Sequence, residues 1–599
     1  MQFVGIHHDG SDLYVSHDSP EYGETVQVRL RVWSELGTRR VLVRSVLDGE
    51  ARMFEARLSH HADGDEWWIA ELPIRNAVQH YRWLVIGEQI HYGWLNAAGF
   101  FHHDVTDASD FSISVSQATP EWLKRANVYQ VYPDRFARSE NHYEKPEWLV
   151  AREWGLRPEG RSPNTSREWF GGDLWGAAER LEYLQELGID TVYFTPIFPA
   201  RSTHRYDAHS FDTIDPVLGG EAALIHFVEQ AHSRGMKVIG DITLNHCGVT
   251  HEWFVRAQAG EHPYRDFFTF DDTLEHGYEC WFGVRTLPKF NFTSTELIDR
   301  FIVADDSIIR KWLREPFGLD GWRVDVANMA GRQGDLDLTR DIAKIVREVV
   351  QEEGADKILI AEHFHDAGPD LQGHGWHGTM NYAGFLRPVW AWLGGEAFRS
   401  ETQAHQTPMP LYSGIDMVET IEAFSARMPW RSRVNSWPTL GSHDTARAAT
   451  VMGDSQRQVV AAGLLCTLPG APMIFMGDEV GETGHWGEDS RTPMPWHMID
   501  GQRPELWYLY SALLRLRQQH SALTDGGLRW VAATENSVVF IRENAEESLL
   551  ICAQREPESV NLPNWCLPTA QFDSLFGEAV LHSRVISSNT TGITVWRAR

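Results

Sequence analysis

The sequence predicts an α/β protein in which a (β/α)8 barrel has a β-sandwich before it, a small subdomain within it and a second β-sandwich after it. Two observations support this prediction. The long central segment alternates apolar strands with helical stretches, and both flanking segments alternate apolar and polar residues with a period of two. The chain has 599 residues, more than one hydrophobic core usually organises, so several domains are expected.

Residues 1–118 are predicted to form the amino-terminal β-sandwich. Short runs at residues 26–32 and 40–43 alternate apolar and polar side chains, and turns rich in Gly, Asp and Ser separate them. After residue 524 the same alternation returns. Residues 524–599 are therefore predicted to form a carboxyl-terminal β domain.

Residues 119–523 are predicted to form the barrel. Each strand-like run is apolar, as expected for parallel strands buried on both faces, and a closed barrel is favoured over an open doubly wound sheet, the structural alternative. An irregular, aromatic-rich excursion at residues 246–292 follows the third strand and predicts a subdomain over one rim. The eight runs are residues 128–132, 191–195, 237–241, 321–326, 358–363, 378–382, 438–443 and 473–479, and helical stretches are predicted at residues 177–187 and 221–233.

Composition excludes several function classes. The formal net charge is −29 at pH 7, and nucleic-acid binding needs concentrated Lys and Arg, so no nucleic-acid partner is expected. No apolar stretch is long enough to cross a bilayer, and the amino terminus lacks a basic segment followed by an apolar one. We therefore expect a cytoplasmic protein without a membrane partner. The five cysteines are scattered, without a CxxC pair, which predicts reduced thiols.

Charged side chains follow the predicted strands at their carboxyl ends, where barrel enzymes place their chemistry. One such carboxylate can be explained as a buried salt-bridge partner, as Arg323 would be for Asp325. Three or more of them at different strand ends favour a common site. The residues concerned are Asp241, His246, Arg323, Asp325, Glu362, His443 and Asp444.

This pattern fits the hydrolysis of glycosidic bonds. Such bonds break through an oxocarbenium-like transition state, which needs a carboxylate on one face of the sugar and a proton donor on the leaving oxygen. Asp325 is expected to stay ionised, because the guanidinium of Arg323 favours the charged form that a nucleophile requires. Glu362 has only His363 as a basic sequence neighbour, and a less polar pocket would keep it protonated as a general acid.

Four segments resemble the signature regions of the α-amylase superfamily, glycoside hydrolase family 13, in order and spacing. A fifth resembles the region that marks the neopullulanase, cyclomaltodextrinase and maltodextrin glucosidase group. Within that group, residues 129–139, 362–364 and 442–447 are most similar to maltodextrin glucosidase. The resemblance covers almost the whole chain. The five segments are residues 241–246, 321–325, Glu362 with the strand before it, 442–444 and, for the group, 287–290.

The resemblance implies a role for individual residues. Asp325 would be the nucleophile, Glu362 the acid/base, and Asp444 the carboxylate that binds the ring hydroxyls and stabilises the transition state. Tyr206 matches the aromatic platform beneath the sugar, a role that suits a phenol ring, with packing as the alternative. The other implied substrate-binding residues are Asp241, His246, Arg323, His363, His443, Asp489 and Arg491.

Some segments depart from the family pattern. Residues 487–494 form a shorter loop than in either neopullulanase or maltodextrin glucosidase, similar to that of exo-acting α-glucosidases and trehalose-forming relatives. Residues 327–329 are intermediate between the neopullulanase and maltodextrin glucosidase patterns. The Asn/Asp-rich calcium loop that many amylases carry after the first barrel strand is missing at residues 139–143. We therefore expect no metal and no cofactor.

The sequence thus predicts a retaining α-glucosidase that releases mainly glucose from short maltodextrins, and the resemblance to maltodextrin glucosidase implies release from the reducing end. One alternative is a cyclomaltodextrinase, neopullulanase, maltogenic amylase or transglycosylase of the same group, a choice that acceptor-side residues such as Asn328, His363 and Phe364 would decide. A remote alternative is an inactive glycan-binding protein, which the intact carboxylates disfavour. Related enzymes often dimerise through the amino-terminal module, so a homodimer is one expectation. Starch binding, packing and interface roles are all compatible with Trp67, Trp68, Trp83 and Trp94.

Overall fold

The computed structural model describes residues 4–399, 409–567 and 571–599. Its central feature is a sheet of seven parallel strands in which strands adjacent in the chain are also adjacent in space, and the first strand also pairs with the last. All but two of the residues in these strands are buried, as the apolar sequence pattern predicts. The strands are Val128–Val131, Thr191–Phe194, Lys237–Thr243, Gly321–Asp325, Ile358–His363, Gly378–Asn381 and Met473–Phe475.

Two isolated parallel bridges close this sheet into a barrel. Met380 pairs with Trp437, and Thr439 pairs with Met473. Residues 437–439 therefore take the seventh position in the ring, and we number the barrel strands 1 to 8 accordingly. The predicted full strand at residues 438–443 is wrong, because Pro438 has no N–H to donate and the Thr439 hydroxyl accepts from the Gly441 N–H within a local turn.

Helices cover the outside of the barrel. The helix predicted at residues 221–233 is Gly220–Ser233, and the apolar face of residues 177–187 is divided between two helices that meet at Arg180. The α-helices of the described residues are Glu121–Arg125, Pro133–Phe136, Leu174–Glu179, Leu181–Leu187, Gly220–Ser233, Glu252–Gln258, Thr295–Ile298, Ile308–Leu313, Thr339–Glu353, Arg387–Leu393, Glu396–Arg399, Gly414–Ser425, Trp430–Asn435, Ala448–Met452, Ser455–Thr467, Gly487–Ser490, Trp496–Ile499, Glu505–Gln519 and Ser521–Thr524. In this part of the chain, no helix is long and apolar enough to cross a membrane.

The excursion after strand 3 folds around an aromatic cluster. It contains the helix Glu252–Gln258, and isolated antiparallel bridges tie its two ends together, among them His246 to Lys289 and Phe268 to Phe290. The rings of Trp253, Phe267 and Phe290 pack edge to face in its interior. This packing holds His246 at the barrel rim.

Two β-rich modules flank the barrel. The amino-terminal one pairs a four-stranded with a six-stranded antiparallel sheet over a shared apolar core, and the carboxyl-terminal one has a five-stranded and a three-stranded sheet. The amino-terminal strands are Ile6–His7, Thr25–Trp33, Thr38–Leu47, Glu50–Glu55, Arg57–Ala62, Asp65–Pro73, Val78–Gly87, Gly93–Asn96, Gly99–Phe101 and Phe111–Ser114. The carboxyl-terminal strands are Gly527–Ala533, Ser537–Glu543, Ser548–Gln554, Ser559–Asn561, Phe572–Phe576, Val580–His582, Val585–Ser587 and Gly592–Ala598.

Candidate active site

One buried guanidinium organises the carboxyl end of the barrel. Arg323 on strand 4 donates from Nη1 to both carboxylate oxygens of Asp241 on strand 3, each at 3.0 Å, and to Oδ1 of Asp325 at 3.1 Å. Its Nη2 lies 2.9 Å from Oε2 of Glu362 on strand 5, an ion pair whose angle is outside the hydrogen-bond range. Three carboxylates from three neighbouring strands therefore share one cation.

The turn after Asp325 is strained. Val326 adopts a φ of 36°, which is unfavourable for a β-branched residue, and its backbone N–H donates to Oε2 of Glu362 at 2.8 Å. The turn thus fixes the Glu362 carboxylate beside the strand that carries Asp325. Only 10% of the Asp325 side chain and 4% of the Glu362 side chain are exposed.

Shared charge changes the protonation of this cluster. Burial raises the pKa of Asp325 well above its usual range, the charge of Glu362 raises it further, and Arg323 opposes both. Burial also raises the pKa of Asp241, to about 6, against the attraction of Arg323. Arg323 therefore does not lower the pKa of Asp325 below its usual range, because a single guanidinium is shared by three buried carboxylates. Asp241 and Asp325 therefore hold a proton more strongly than free carboxylates do.

A second group of polar side chains lies beside this cluster. The ring of Tyr206 stacks on His443 with centroids 5.4 Å apart and planes 10° from parallel. The Tyr206 hydroxyl lies 2.6 Å from Nε2 of His443 and donates to Oδ2 of Asp241 at 3.0 Å. Tyr206 follows Arg205, whose φ of 62° bends the chain toward the site. The group joins the loops after strands 2 and 7 to the carboxylates of strands 3 to 5.

Asp444 lies in a different electrostatic setting from Asp325. Its Oδ1 accepts from Nη2 of Arg491 at 3.0 Å, and its Oδ2 lies 3.1 Å from Nε2 of His443. Burial alone would raise the pKa of Asp444, but His443, Arg491 and Arg323 together outweigh it and lower that pKa. Burial lowers the pKa of His443 to about 3, so near neutral pH Arg491 and Arg323 supply the positive charge that favours ionised Asp444. Asp444 is therefore ionised at neutral pH, and 31% of its side chain is exposed.

His246 lies at the rim between the barrel and the excursion. Its ring stacks on Trp281 at 5.4 Å, and its Nδ1 lies 3.0 Å from the side-chain nitrogen of Asn245. Its Nε2 is buried and has no hydrogen-bond partner among the residues that the structure describes. A buried ring nitrogen without a partner is available to a bound hydroxyl.

Comparisons with known proteins agree with this geometry. Over residues 130–501 the chain matches the family model for the α-amylase catalytic domain. The chain belongs to the α-amylase family. Cyclomaltodextrinase from Geobacillus thermopakistaniensis (strain MAS1) is 30% identical over 518 residues, which cover 83% of this chain and 81% of that protein. Neopullulanase 2 from Thermoactinomyces vulgaris is 32% identical over 437 residues, which cover 71% and 68% respectively.

A solved structure of a cyclomaltodextrinase shares the fold of this α-amylase family protein. It aligns over 100% of both chains with a TM-score of 0.73, at 23% sequence identity. The (β/α)8 barrel with flanking β modules is thus confirmed. The protein is a glycoside hydrolase and falls in the group that includes the cyclomaltodextrinases and neopullulanases.

The structure brings most of the predicted site residues of this α-amylase family member together, but two lie apart from the carboxylates. His363 has a fully buried side chain that turns to Oδ2 of Asp370, 3.2 Å away, and toward the hydroxyl of Thr379. Asp489 accepts from the backbone N–H of His485 within its own loop. Neither side chain contacts the shared guanidinium among the hydrogen bonds and ion pairs of the described residues. The substrate-binding roles of both stay predictions.

Two further residues support the site and were not predicted. The Gln130 amide donates to Nδ1 of His443 at 2.9 Å and accepts from the His443 backbone N–H at 3.3 Å. The Tyr193 hydroxyl donates to Oδ2 of Asp241 at 2.5 Å. Both lie in apolar barrel strands, and a polar side chain inside a buried strand was the available signal. Within the described ranges, no group of three or more His, Cys, Asp or Glu residues is arranged to hold a metal ion.

Proposed function

We propose that this protein is a retaining α-glucosidase that hydrolyses α-1,4-glucosidic bonds of short maltodextrins and releases mainly glucose. The observation that supports the chemistry is the sharing of Arg323 by three strand-end carboxylates. Such a cluster readily keeps one proton and one negative charge together, which are what a proton donor and a nucleophile need. Its position at the carboxyl end of a barrel agrees with this role.

The reaction then has two balanced steps. In the first, the Asp325 carboxylate attacks the anomeric carbon, the glycosidic C–O bond breaks, and Glu362 gives its proton to the leaving oxygen. In the second, water attacks the same carbon, the bond to Asp325 breaks, and the proton from water returns to Glu362. Two inversions leave the newly formed hemiacetal in the α configuration. Asp444, ionised and partly exposed, would bind the ring hydroxyls and stabilise positive charge at the reacting centre.

The surroundings of Glu362 support a sugar on the acceptor side. Phe364 lies two residues beyond Glu362, is 44% exposed, and stacks on the ring of Tyr382 at 4.0 Å and 10°. Exposed aromatic faces suit the apolar C–H faces of glucose. We therefore assign Phe364 to the wall that contacts the leaving sugar.

The experiment that tests this proposal follows maltotriose hydrolysis by NMR and by chromatography. We expect glucose to be the main small product and the newly formed hemiacetal to be α before mutarotation. A β product would refute the retaining mechanism. Maltotriose left intact in the presence of active, folded protein would refute the substrate class.

A second candidate comes from the relatives, which are a cyclomaltodextrinase and a neopullulanase. Mainly maltose from starch, or panose from pullulan, would favour a maltogenic or neopullulanase activity. Rapid opening of cyclodextrins with little further trimming would favour a cyclomaltodextrinase.

All five cysteines are free thiols, four of them buried, which supports a reducing, intracellular site of action. A homodimer stays a prediction, which sedimentation of the full chain tests.

A further inference from the structure

The ring of barrel strands defines two sides of the site. Glu362 lies one residue before the end of strand 5, which is four positions from strand 1 in the closed ring of eight. If Glu362 protonates the leaving oxygen, the leaving sugar lies on its side of the barrel. The loops after strands 8 and 1 are then on the opposite, donor side, where the rest of the chain beyond the reacting glucose would extend.

The loop after strand 8 packs directly behind Asp444. A Cβ atom on Gly487 would lie 3.2 Å from the Asp444 Cα and carbonyl atoms, a tight contact, so glycine favours this close approach. Arg491 from the same loop donates from Nε to the His443 carbonyl at 2.8 Å and from Nη2 to Asp444. The loop therefore lies in close contact with the Asp444 backbone.

The segment after strand 1 covers this loop from the outside. The Trp154 indole donates to the Met494 carbonyl at 2.9 Å, and Arg157 donates to the Thr483 hydroxyl at 3.2 Å. The guanidinium of Arg161 lies 3.4 Å over the ring of Trp486. We call residues 154–161 and 483–494 together the loop clamp.

We propose that the loop clamp closes the donor side beyond one glucose unit, so the enzyme takes the non-reducing end of a chain and releases that terminal glucose. Asp444 and Arg491 then face the hydroxyls of a terminal sugar rather than a continuing chain. This inference rests on the proposed function and names its substrate class: linear α-glucans with a free non-reducing end. It opposes the reducing-end release that the resemblance to maltodextrin glucosidase implies. Cyclic dextrins have no end and do not fit.

End labelling of the wild-type protein tests the proposal directly. Maltotriose carrying an isotopic label at its reducing-end glucose is hydrolysed to a few per cent, and the products are separated. We expect the label in maltose and the free glucose unlabelled. Label in free glucose from the earliest times, alone or alongside maltose, would overturn the inference while leaving the proposed hydrolysis intact. Failure to form any glucose would instead refute the proposed function.

Weakening the clamp is the second test. The double variant Arg161→Ala, Trp486→Ala removes the outer contact but no group that touches the reacting sugar. We expect its α-cyclodextrin opening, relative to maltotriose hydrolysis, to rise about two- to tenfold over wild type, the range expected for one guanidinium–ring contact. Arg256→Ala is the matched control, because its guanidinium lies 3.9 Å over Tyr264 in the excursion, outside the clamp. An unchanged ratio in a folded double variant, or wild type that opens cyclodextrin as fast as it cuts maltotriose, would overturn the inference. If the double variant does not fold, end labelling alone decides.

Discussion

Asp325 and Asp444 lie in opposite electrostatic settings, so replacing each by asparagine should have opposite effects on stability. Asp325→Asn and Asp444→Asn both remove a negative charge and keep the shape of the side chain. Because the pKa of Asp325 is raised in the folded protein, ionising it there is costly, and Asn avoids that cost. The pKa of Asp444 is lowered, so its charge stabilises the fold and Asn loses that stabilisation. Asp325→Asn should therefore be more stable than wild type at neutral pH, and Asp444→Asn less stable.

The size and pH range follow from linkage. Each pKa unit by which folded Asp325 exceeds the unfolded value near 4 is worth about 1.4 kcal/mol. A gain of about 1 kcal/mol would raise the Tm of Asp325→Asn by about 2–4 °C at the scaling of a mid-sized domain. The stability that wild type gains from a raised pKa is fully present below the unfolded-state pKa and is lost as pH rises through the folded-state pKa. The advantage of the Asn variant is thus near zero at pH 4 and grows toward neutral pH.

Thermal melts of wild type and both variants across pH 4–8 provide the assay. The Arg323 hydrogen bond to Asp325 survives in the Asn variant, because an amide oxygen accepts as a carboxylate oxygen does. The loss in Asp444→Asn should shrink as pH falls, the reverse of the Asp325→Asn trend. An Asp325→Asn variant that is less stable than wild type, or whose stability difference does not change with pH, would refute the shared-cation explanation.

Three further predictions concern chemistry and metal dependence. Asp325→Ala should lose turnover by orders of magnitude, and azide should rescue it with formation of the β-glucosyl azide; an α-azide would indicate another nucleophile. Glu362→Gln should lose far more activity on maltotriose than on an aryl α-glucoside with a good leaving group, since only the former needs the proton; equal losses would contradict the acid role. Dialysis against a chelator should leave activity and Tm nearly unchanged, and a large fall in either would reveal a metal site.

Strand positions were predictable where burial alone determines them. The strand Ile358–His363 was predicted with its observed limits, because a long apolar run ends at charged residues. The seventh strand was predicted too long, because Trp437–Leu440 is apolar enough for a strand, while Pro438 and the Thr439–Gly441 turn prevent a continuous ladder. An apolar pattern predicts that a segment is buried. A continuous strand also needs backbone N–H groups that are free to bond to the neighbouring strands.

Site residues were predictable by position but not by charge state. The strand ends were enough to place Asp241, Arg323, Asp325 and Glu362 in one cluster. From the sequence, Arg323 was expected to pair with its near neighbour Asp325. In the fold, Arg323 also pairs with Asp241 and Glu362, which are 82 and 39 positions away from it along the chain. The sequence around Arg323 does not show how many carboxylates share its charge, and that number affects the pKa of each carboxylate.

Chemistry and specificity occupy different parts of this barrel. The shared cation and its carboxylates lie on strands 3 to 5, and the loop clamp lies across the mouth on the loops after strands 8 and 1. Asp444 belongs to both, because His443 pairs with it from within the barrel while Gly487 and Arg491 contact it from the loop clamp. Substitutions on strands 3 to 5 should therefore lower turnover on every substrate alike, whereas substitutions in the clamp should change the ratio between linear and cyclic substrates. Asp444 is the position where both effects should appear together, since removing its carboxylate takes away a charge at the reacting centre and the anchor that fixes Arg491 behind it.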